Sequence, residues 1–290
     1  MKSPAYCFSE QHDSWNTIVR KVQSGSAIAM LLDYDGTLTP INQTPSAALL
    51  GLEAERILQQ MAHLPGMQVV IVTGRSMEDI RRLVPIENMG FVANHGFHTY
   101  KDGTEWIHPQ ALSLIQALSR LHSILRTTLA RFPKVDVENK QFTLSIHYRN
   151  VAQHNAHSLK SVVLKTVHAF DPTLRITRGK RVFEVRPNIA WGKGDAVLKM
   201  LNANKAHRRT IPVFIGDDAT DEDVFRSLRY KGITIRVGNS KSTLAQYYVK
   251  NVEDVMRLLR SIIRFQMNRS LCSHSCKMRK EKPYAHIGRL

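Results

Sequence analysis

Short, almost wholly apolar runs that stop abruptly at a polar group set the rhythm of this chain. Residues 27–32 end at Asp33, 67–72 at Thr73, 90–93 at Asn94, and 211–215 at Gly216-Asp217. Runs of this kind, bounded by turn residues, read as strands buried on both faces. Between them lie stretches of helical period. One covers 15–22. Another opens at Pro45, carries Leu49, Leu52, Ile57, Leu58 and Met61, and closes at Pro65-Gly66; others cover 77–83 and 196–203. Strand, helix, strand at this spacing predicts βαβ units and a parallel sheet. A further strand is expected over 232–237 and a last helix over 251–265.

The texture changes after Thr104. Residues 109–132 read as one amphipathic helix, with Leu112, Ile115, Leu118, Leu121 and Leu125 at helical spacing. Residues 134–140 and 141–149 then alternate. Phe142, Leu144, Ile146 and Tyr148 face one way, and Thr143, Ser145, His147 and Arg149 the other. This is the pattern of half-buried antiparallel strands. A helix over 154–170 follows, then strands over 173–177 and 181–186 joined by a turn at Arg178-Gly179-Lys180. The reading is therefore an α/β protein: a Rossmann-like parallel-sheet core over 27–104 and 187–267, preceded by a lead-in over 1–26. An α+β insert, in the order αββαββ, occupies 105–186. The basic stretch 268–290, without apolar period, is expected to be poorly ordered.

The 290 residues suffice for a large core. No apolar run approaches the ~20 residues of a membrane span, and residues 1–10 hold no apolar signal region, so a cytoplasmic location is the expectation. Cys7, Cys272 and Cys276 form no disulfide framework. Cys272, His274 and Cys276 could be taken for metal ligands, but their spacing matches no zinc pattern, and a free-thiol tail is the reading. The formal net charge of +17 invites a nucleic-acid partner. Yet the basic residues are dispersed, with local clusters at Arg81-Arg82, His207-Arg208-Arg209 and 277–282, and no nucleic-acid-binding motif is visible. An anionic substrate fits the charge equally well.

Chemistry concentrates at the strand ends. Asp33 and Asp35, Thr73, and Asp217 with Asp218 all fall at one edge of a parallel sheet, where ligands bind in such folds. Clustered carboxylates require a shared proton or cation, and hard oxygen ligands with open water positions suit Mg2+. Lys193 and that metal would hold a phosphate. Asp33 then reads as a covalent nucleophile for a phosphoryl group and Asp35 as its general acid/base. Each feature has a plainer reading by itself. Asp-x-Asp-Gly also makes turns and calcium loops, Thr73-Gly74-Arg75 a strand-to-helix turn, and Lys193 a solvated cation. Asp221 and Glu222 could simply complement a helix dipole. Their order and placement together select phosphoryl transfer.

Leu31-Leu32-Asp33-Tyr34-Asp35-Gly36-Thr37-Leu38, Val72-Thr73-Gly74-Arg75, Lys193 and Gly216-Asp217-Asp218-x-x-Asp221 resemble the four ordered motifs of haloacid dehalogenase-like phosphatases. Tyr34 between the aspartates, the acidic run 216–223, Glu138-x-Lys140 before His147-Tyr148-Arg149, and the segment 179–187 around Glu184 are similar to trehalose-6-phosphate phosphatases. The resemblance covers roughly 27–265. Asn94-His95-Gly96 matches only loosely, and the Cys-containing tail matches no family pattern.

The resemblance implies that Asp33, the Asp35 backbone carbonyl and Asp217 bind Mg2+, with Asp218 and Asp221 orienting Lys193 and metal waters. Thr73 and Lys193 would bind the phosphoryl oxygens. Arg75, Glu138, Lys140, His147, Arg149 and Glu184 would contact substrate, the last five from an insert acting as a cap hinged near 104–106 and 186–190. The expected reaction converts trehalose 6-phosphate to trehalose and phosphate, with a trehalose-6-phosphate synthase as a functional pairing. Phosphatases for sucrose 6-phosphate or mannosyl-3-phosphoglycerate, a phosphosugar mutase, and a nucleic-acid-binding protein with a degenerate core are the alternatives.

Overall fold

The computed structural model describes residues 4–8, 14–25, 27–42, 47–179, 181–203 and 210–280, with backbone alone over 269–280. Pro45, Lys180, the 207–209 cluster, the side chains of Cys272, His274 and Cys276, and residues 281–290 lie outside the described residues or side chains.

Strand β1 (Ala5–Tyr6) and helix α1 (Ser14–Gln23) precede the central strand β2 (Ala27–Leu32). All six residues of β2 are buried, because helices cover both faces of the sheet. Helix α2 (Leu52–Ala62), β3 (Met67–Val72), α3 (Met77–Leu83) and β4 (Met89–Ala93) complete the first βαβ units. A hairpin follows, β5 (His98–Lys101) and β6 (Thr104–Ile107), turning at Asp102-Gly103 with φ of 49° and 76°. Positive φ at both central residues is the turn geometry that Asp-Gly favours. The chain returns to this sheet with α7 (Lys193–Ala203), β11 (Thr210–Gly216), α8 (Glu222–Leu228), β12 (Ile233–Val237), β13 (Tyr247–Val249) and α9 (Val252–Lys280).

Among the described residues this sheet has nine strands, ordered β1-β13-β12-β11-β2-β3-β4-β5-β6. All neighbours are parallel except in the β4-β5-β6 meander. From β2 the chain builds outward through β3 and β4 on one side, and later through β11 and β12 on the other. The crevice at the carboxyl ends of β2 and β11 is therefore a topological switch point, where such sheets bind ligands. Register fixes the ends together: Leu32 pairs with Ile215 and Ile71, and the Asp33 amide donates to the Ile215 carbonyl at 2.9 Å.

The insert comprises α4 (Pro109–Ser113), α5 (Ile115–Leu129), β7 (Asp136–Asn139), β8 (Leu144–His147), α6 (Gln153–Phe170), β9 (Leu174–Gly179) and β10 (Val182–Pro187). Its antiparallel sheet, ordered β7-β8-β10-β9, buries Leu144, Ile146, Phe183 and Val185 against Leu118, Leu121 and Leu125 of α5 and Leu159 and Val163 of α6. The opposite sheet face carries Glu138, Ser145, His147 and Glu184, as the alternation predicts, but Phe142 packs away from Leu144 and Ile146, with Phe97 and Ala111, because it precedes the strand in the turn from β7.

Several expectations are corrected. The helix opens at Leu52 after an extended Gly51, and the apolar Leu49 and Leu52 point outward, 69% and 72% exposed. Apolar character alone does not force burial. The stretch 109–132 breaks at Leu114, whose ψ of 0° leaves the helix, and Leu112 faces solvent. The main sheet runs on to Ile107, past the insert boundary read at 105. The basic stretch is helical to Lys280, since neither Gly nor Pro interrupts residues 252–280.

Candidate active site

Three strand ends and one helix start converge. Asp33 follows β2 and turns back at once. The Tyr34 carbonyl accepts from the Leu38 and Thr39 amides at 2.9 and 3.1 Å, and Gly36 donates to the Thr39 carbonyl at 2.7 Å. Gly36 sits at φ +85°, and a Cβ there would lie 2.2 Å from an Asp217 carboxylate oxygen, so only glycine lets this loop close on β11. Tyr34 is fully buried, its hydroxyl donating to the Ala48 carbonyl at 2.8 Å. Thr73 follows β3, and its hydroxyl oxygen accepts from the Arg75 amide at 3.1 Å. Ser76 caps α3 by accepting from the Asp79 amide.

Lys193, the first residue of α7, is buried and reaches Asp33 Oδ1 at 2.9 Å and Asp221 Oδ1 at 2.8 Å. The other Asp221 oxygen accepts from the backbone amides of Asp217 and Asp218 at 2.9 and 3.0 Å. Burial, with Asp221 and Asp217 beside it, pushes the Asp33 carboxyl well above the usual range against the pull of Lys193. For Lys193 burial opposes the charge, but Asp221 and Asp33 outweigh it and hold the ammonium protonated. Oxygens of Asp33, Asp217 and Asp221 lie within 4.8 Å of one another. Three buried carboxylates facing one ammonium leave negative charge uncompensated, and hard oxygen donors of this kind fit a Mg2+ ion.

Asp35 points into the open side of the site. Arg75 Nε and Nη2 donate to its two carboxylate oxygens at 2.7 Å each, and Nη1 donates to Asp79 at 2.6 Å. The guanidinium also lies 5.1 Å from the Tyr34 ring centre. Burial opposes its charge, but Asp35 and Asp79 hold it firmly protonated.

Across the opening stands the polar face of the insert. Lys140 Nζ lies 3.4 Å from Glu184 Oε1, which also accepts from the Ser145 hydroxyl at 2.8 Å. Lys140 is 3.9 Å from Glu138, which meets His147 Nε2 at 3.0 Å. Burial would raise the Glu184 carboxyl, but Lys140, with His95 and Ser145, brings it down to about 2. Hydrogen bonds tie insert to core as well: Arg149 Nη1 donates to the Asn42 carbonyl at 2.5 Å, and the Thr143 hydroxyl to Asn94 Oδ1 at 3.1 Å.

One cavity of about 540 Å³ is lined by Asp33, Asp35, Thr73, Arg75, Lys193, Asp217 and Asp218 from the core and by Glu138, Lys140, His147, Arg149 and Glu184 from the insert. Asp221 lies behind this wall, fully buried. Sequence reasoning passed over Asp79 and His95, which also line the cavity. The signal for His95 was its place after β4, at the same sheet edge as Thr73.

A parallel sheet with acidic strand ends, an inserted α+β unit and this carboxylate-lysine cluster define a phosphatase of the haloacid dehalogenase-like class. The trehalose-phosphatase family model matches residues 31–253. Trehalose-phosphate phosphatase B of Arabidopsis thaliana is 33% identical over 257 residues, covering 83% of this chain and 68% of the relative. Probable trehalose-phosphate phosphatase J of the same plant is 31% identical over 90% of this chain and 77% of its own length. The solved C-terminal domain of a C. albicans trehalose-6-phosphate phosphatase shares the fold, with a TM-score of 0.74 at 24% identity over 90% of this chain and 99% of that one. The chain belongs to the trehalose-phosphatase family. Among the described residues no helix is long and apolar enough to cross a membrane.

Proposed function

We propose that this phosphatase hydrolyses trehalose 6-phosphate to trehalose and phosphate through a phosphoryl group carried on Asp33. The observation that carries the reading is the single cavity shared by the Asp33–Lys193 cluster and the polar face holding Glu138, Lys140, His147 and Glu184. A phosphate and a hydroxyl-rich leaving group need those two kinds of wall.

In the first step an Asp33 carboxylate oxygen bonds to phosphorus and the phosphorus–sugar oxygen bond breaks. Asp35, about two-fifths exposed, enters this step protonated and gives its proton to the departing sugar oxygen, which leaves the carboxylate that Arg75 grips. In the second step Asp35 takes a proton from a water that attacks the aspartyl phosphate, releasing phosphate and restoring Asp33. Lys193 holds Asp33 in place and, with Thr73, offers donors to the phosphoryl oxygens. Asp33, Asp217 and either Asp221 or the Asp35 carbonyl would hold Mg2+, which supplies charge neutralisation for phosphoryl transfer. Asp218 completes a capping box with Asp221 and so steadies the loop that carries Asp217. The inserted unit acts as the cap that shields the site from water.

A trehalose-6-phosphate synthase is the reaction partner that would supply the substrate, and the sparse cysteines suit a cytoplasmic setting. The test is phosphate release from trehalose 6-phosphate, sucrose 6-phosphate and glucose 6-phosphate, with Mg2+ and with EDTA. Trehalose 6-phosphate should exceed glucose 6-phosphate by roughly 100-fold or more in kcat/KM, and EDTA should abolish release. Equal rates would overturn the disaccharide reading, and indifference to EDTA the metal.

A further inference from the structure

We infer that His95 and Glu184 form a hydroxyl-binding pair, one member from the core and one from the insert, that reads the sugar ring next to the phosphoryl group. The inference rests on the sugar-phosphate reading above and assigns His95 a role in specificity.

Four observations carry it. First, the His95 side chain is buried, 6% exposed, yet neither Nδ1 nor Nε2 has a hydrogen-bond partner; Glu184 Oε2, equally buried, has none either. Polar atoms in that state are costly unless something satisfies them. Second, His95 Nε2 and Glu184 Oε2 stand 3.7 Å apart, too far to bond each other. Both residues line the cavity. Third, the ring occupies space kept clear for it. A Cβ on Gly74 would lie 2.4 Å from His95 Cε1, so the absent side chain at 74 is what lets the imidazole rest on the phosphate-side loop.

Fourth, the backbone is strained to put it there. Asn94 and His95 have φ of 48° and 55°, a region unfavourable for consecutive non-glycine residues. The conformation is held by the Asn94 amide donating to the Arg75 carbonyl at 2.7 Å and the His95 amide to the Thr73 carbonyl at 3.1 Å.

The chemistry suits a hydroxyl. A carboxylate only accepts, whereas a neutral imidazole presents one donor and one acceptor. Burial, with Lys140 and Lys193 nearby, holds His95 below its ordinary value despite Glu184, so the ring is neutral. A sugar hydroxyl can then donate to Glu184 Oε2 and accept from His95 Nε2–H. Since His95 bonds the loop carrying Thr73 and lines the cavity beside Lys193, the hydroxyl belongs to the ring bearing the phosphate. A small aromatic phosphate ester has no such group.

The experiment compares kcat/KM on trehalose 6-phosphate and p-nitrophenyl phosphate for the wild type and His95→Asn, a replacement that tolerates the left-handed backbone. The sugar-to-ester ratio should fall ~10- to 100-fold in the variant. An equal loss on both substrates would assign His95 a structural role and overturn the inference. A second arm needs no mutation: the wild type is assayed on monodeoxy analogues of the phosphorylated ring. One analogue should lose ~10- to 100-fold and lose nothing further in His95→Asn. If every analogue stays within a few-fold of the parent, the pair binds only water and the inference fails. A wild type that does not prefer the sugar phosphate over the ester at all would instead overturn the substrate reading on which the inference rests.

Discussion

Arg75 grips Asp35 with two parallel hydrogen bonds of 2.7 Å, although forty positions separate them in sequence. In the proposed mechanism the guanidinium serves the proton-transfer residue, whereas the family resemblance implies a contact with substrate. Arg75→Lys keeps the charge but cannot reproduce the two-pronged contact. It should lower kcat by roughly 10- to 100-fold, with a smaller change in KM. Steady-state kinetics decide the matter, since a pure KM effect would return Arg75 to the substrate.

Gly36→Ala should damage fold and activity together. The position has φ +85°, and the added methyl would meet the Asp217 carboxylate at 2.2 Å. Backbone strain of about 1–3 kcal/mol adds to displacement of a carboxylate that the proposed Mg2+ site uses. A lower melting temperature with loss of turnover is expected; a variant of wild-type stability would show that the loop relaxes freely.

Glu184 links the cap to pH. Its folded carboxyl lies at about 2 against an ordinary 4.5, with burial opposing and Lys140 driving the shift. The folded protein therefore holds this proton less tightly than the unfolded chain. The resulting stability is present in full above about 4.5 and is lost as pH falls through 2. Glu184→Gln should be less stable than the wild type at neutral pH, and the gap should close on acidification. Urea unfolding of both proteins from pH 7 down to 3 measures it, and a gap independent of pH would contradict the assignment.

Arg149 spans from the cap to the Asn42 carbonyl over the cavity mouth. Arg149→Ala removes that bridge and should raise KM for the sugar phosphate by roughly 3- to 30-fold, with kcat less affected. An unchanged KM would mean that the bridge does not hold the cap over substrate.

The parts of the fold that were legible were those written in local pattern. The apolar strands ending at Asp33, Thr73 and Asp217 announced both the sheet and its polar edge, because burial on both faces leaves almost no polar position until the strand ends. The alternation from Leu144 to His147 likewise announced which side chains enter the insert's core, Leu144 and Ile146, and which stand on its polar face. What escaped depends on packing between distant segments. Leu49 and Leu52 look like core residues and face solvent. The β5–β6 hairpin was overlooked despite its Asp102-Gly103 turn, because neither strand alternates cleanly. His95 had only its place after β4 to mark it: the missing Cβ at Gly74 and the unpaired oxygen on Glu184 that frame its ring come together only in the fold.

Whether Asp33 carries the phosphoryl group is decided by turnover of trehalose 6-phosphate in Asp33→Asn. Lys193 keeps its bond to Asp221 in that variant, so the fold should hold, with a melting temperature at or above that of the wild type. The kcat should fall by roughly 10⁴-fold or more. A folded Asp33→Asn protein that hydrolyses trehalose 6-phosphate at close to the wild-type rate would contradict it.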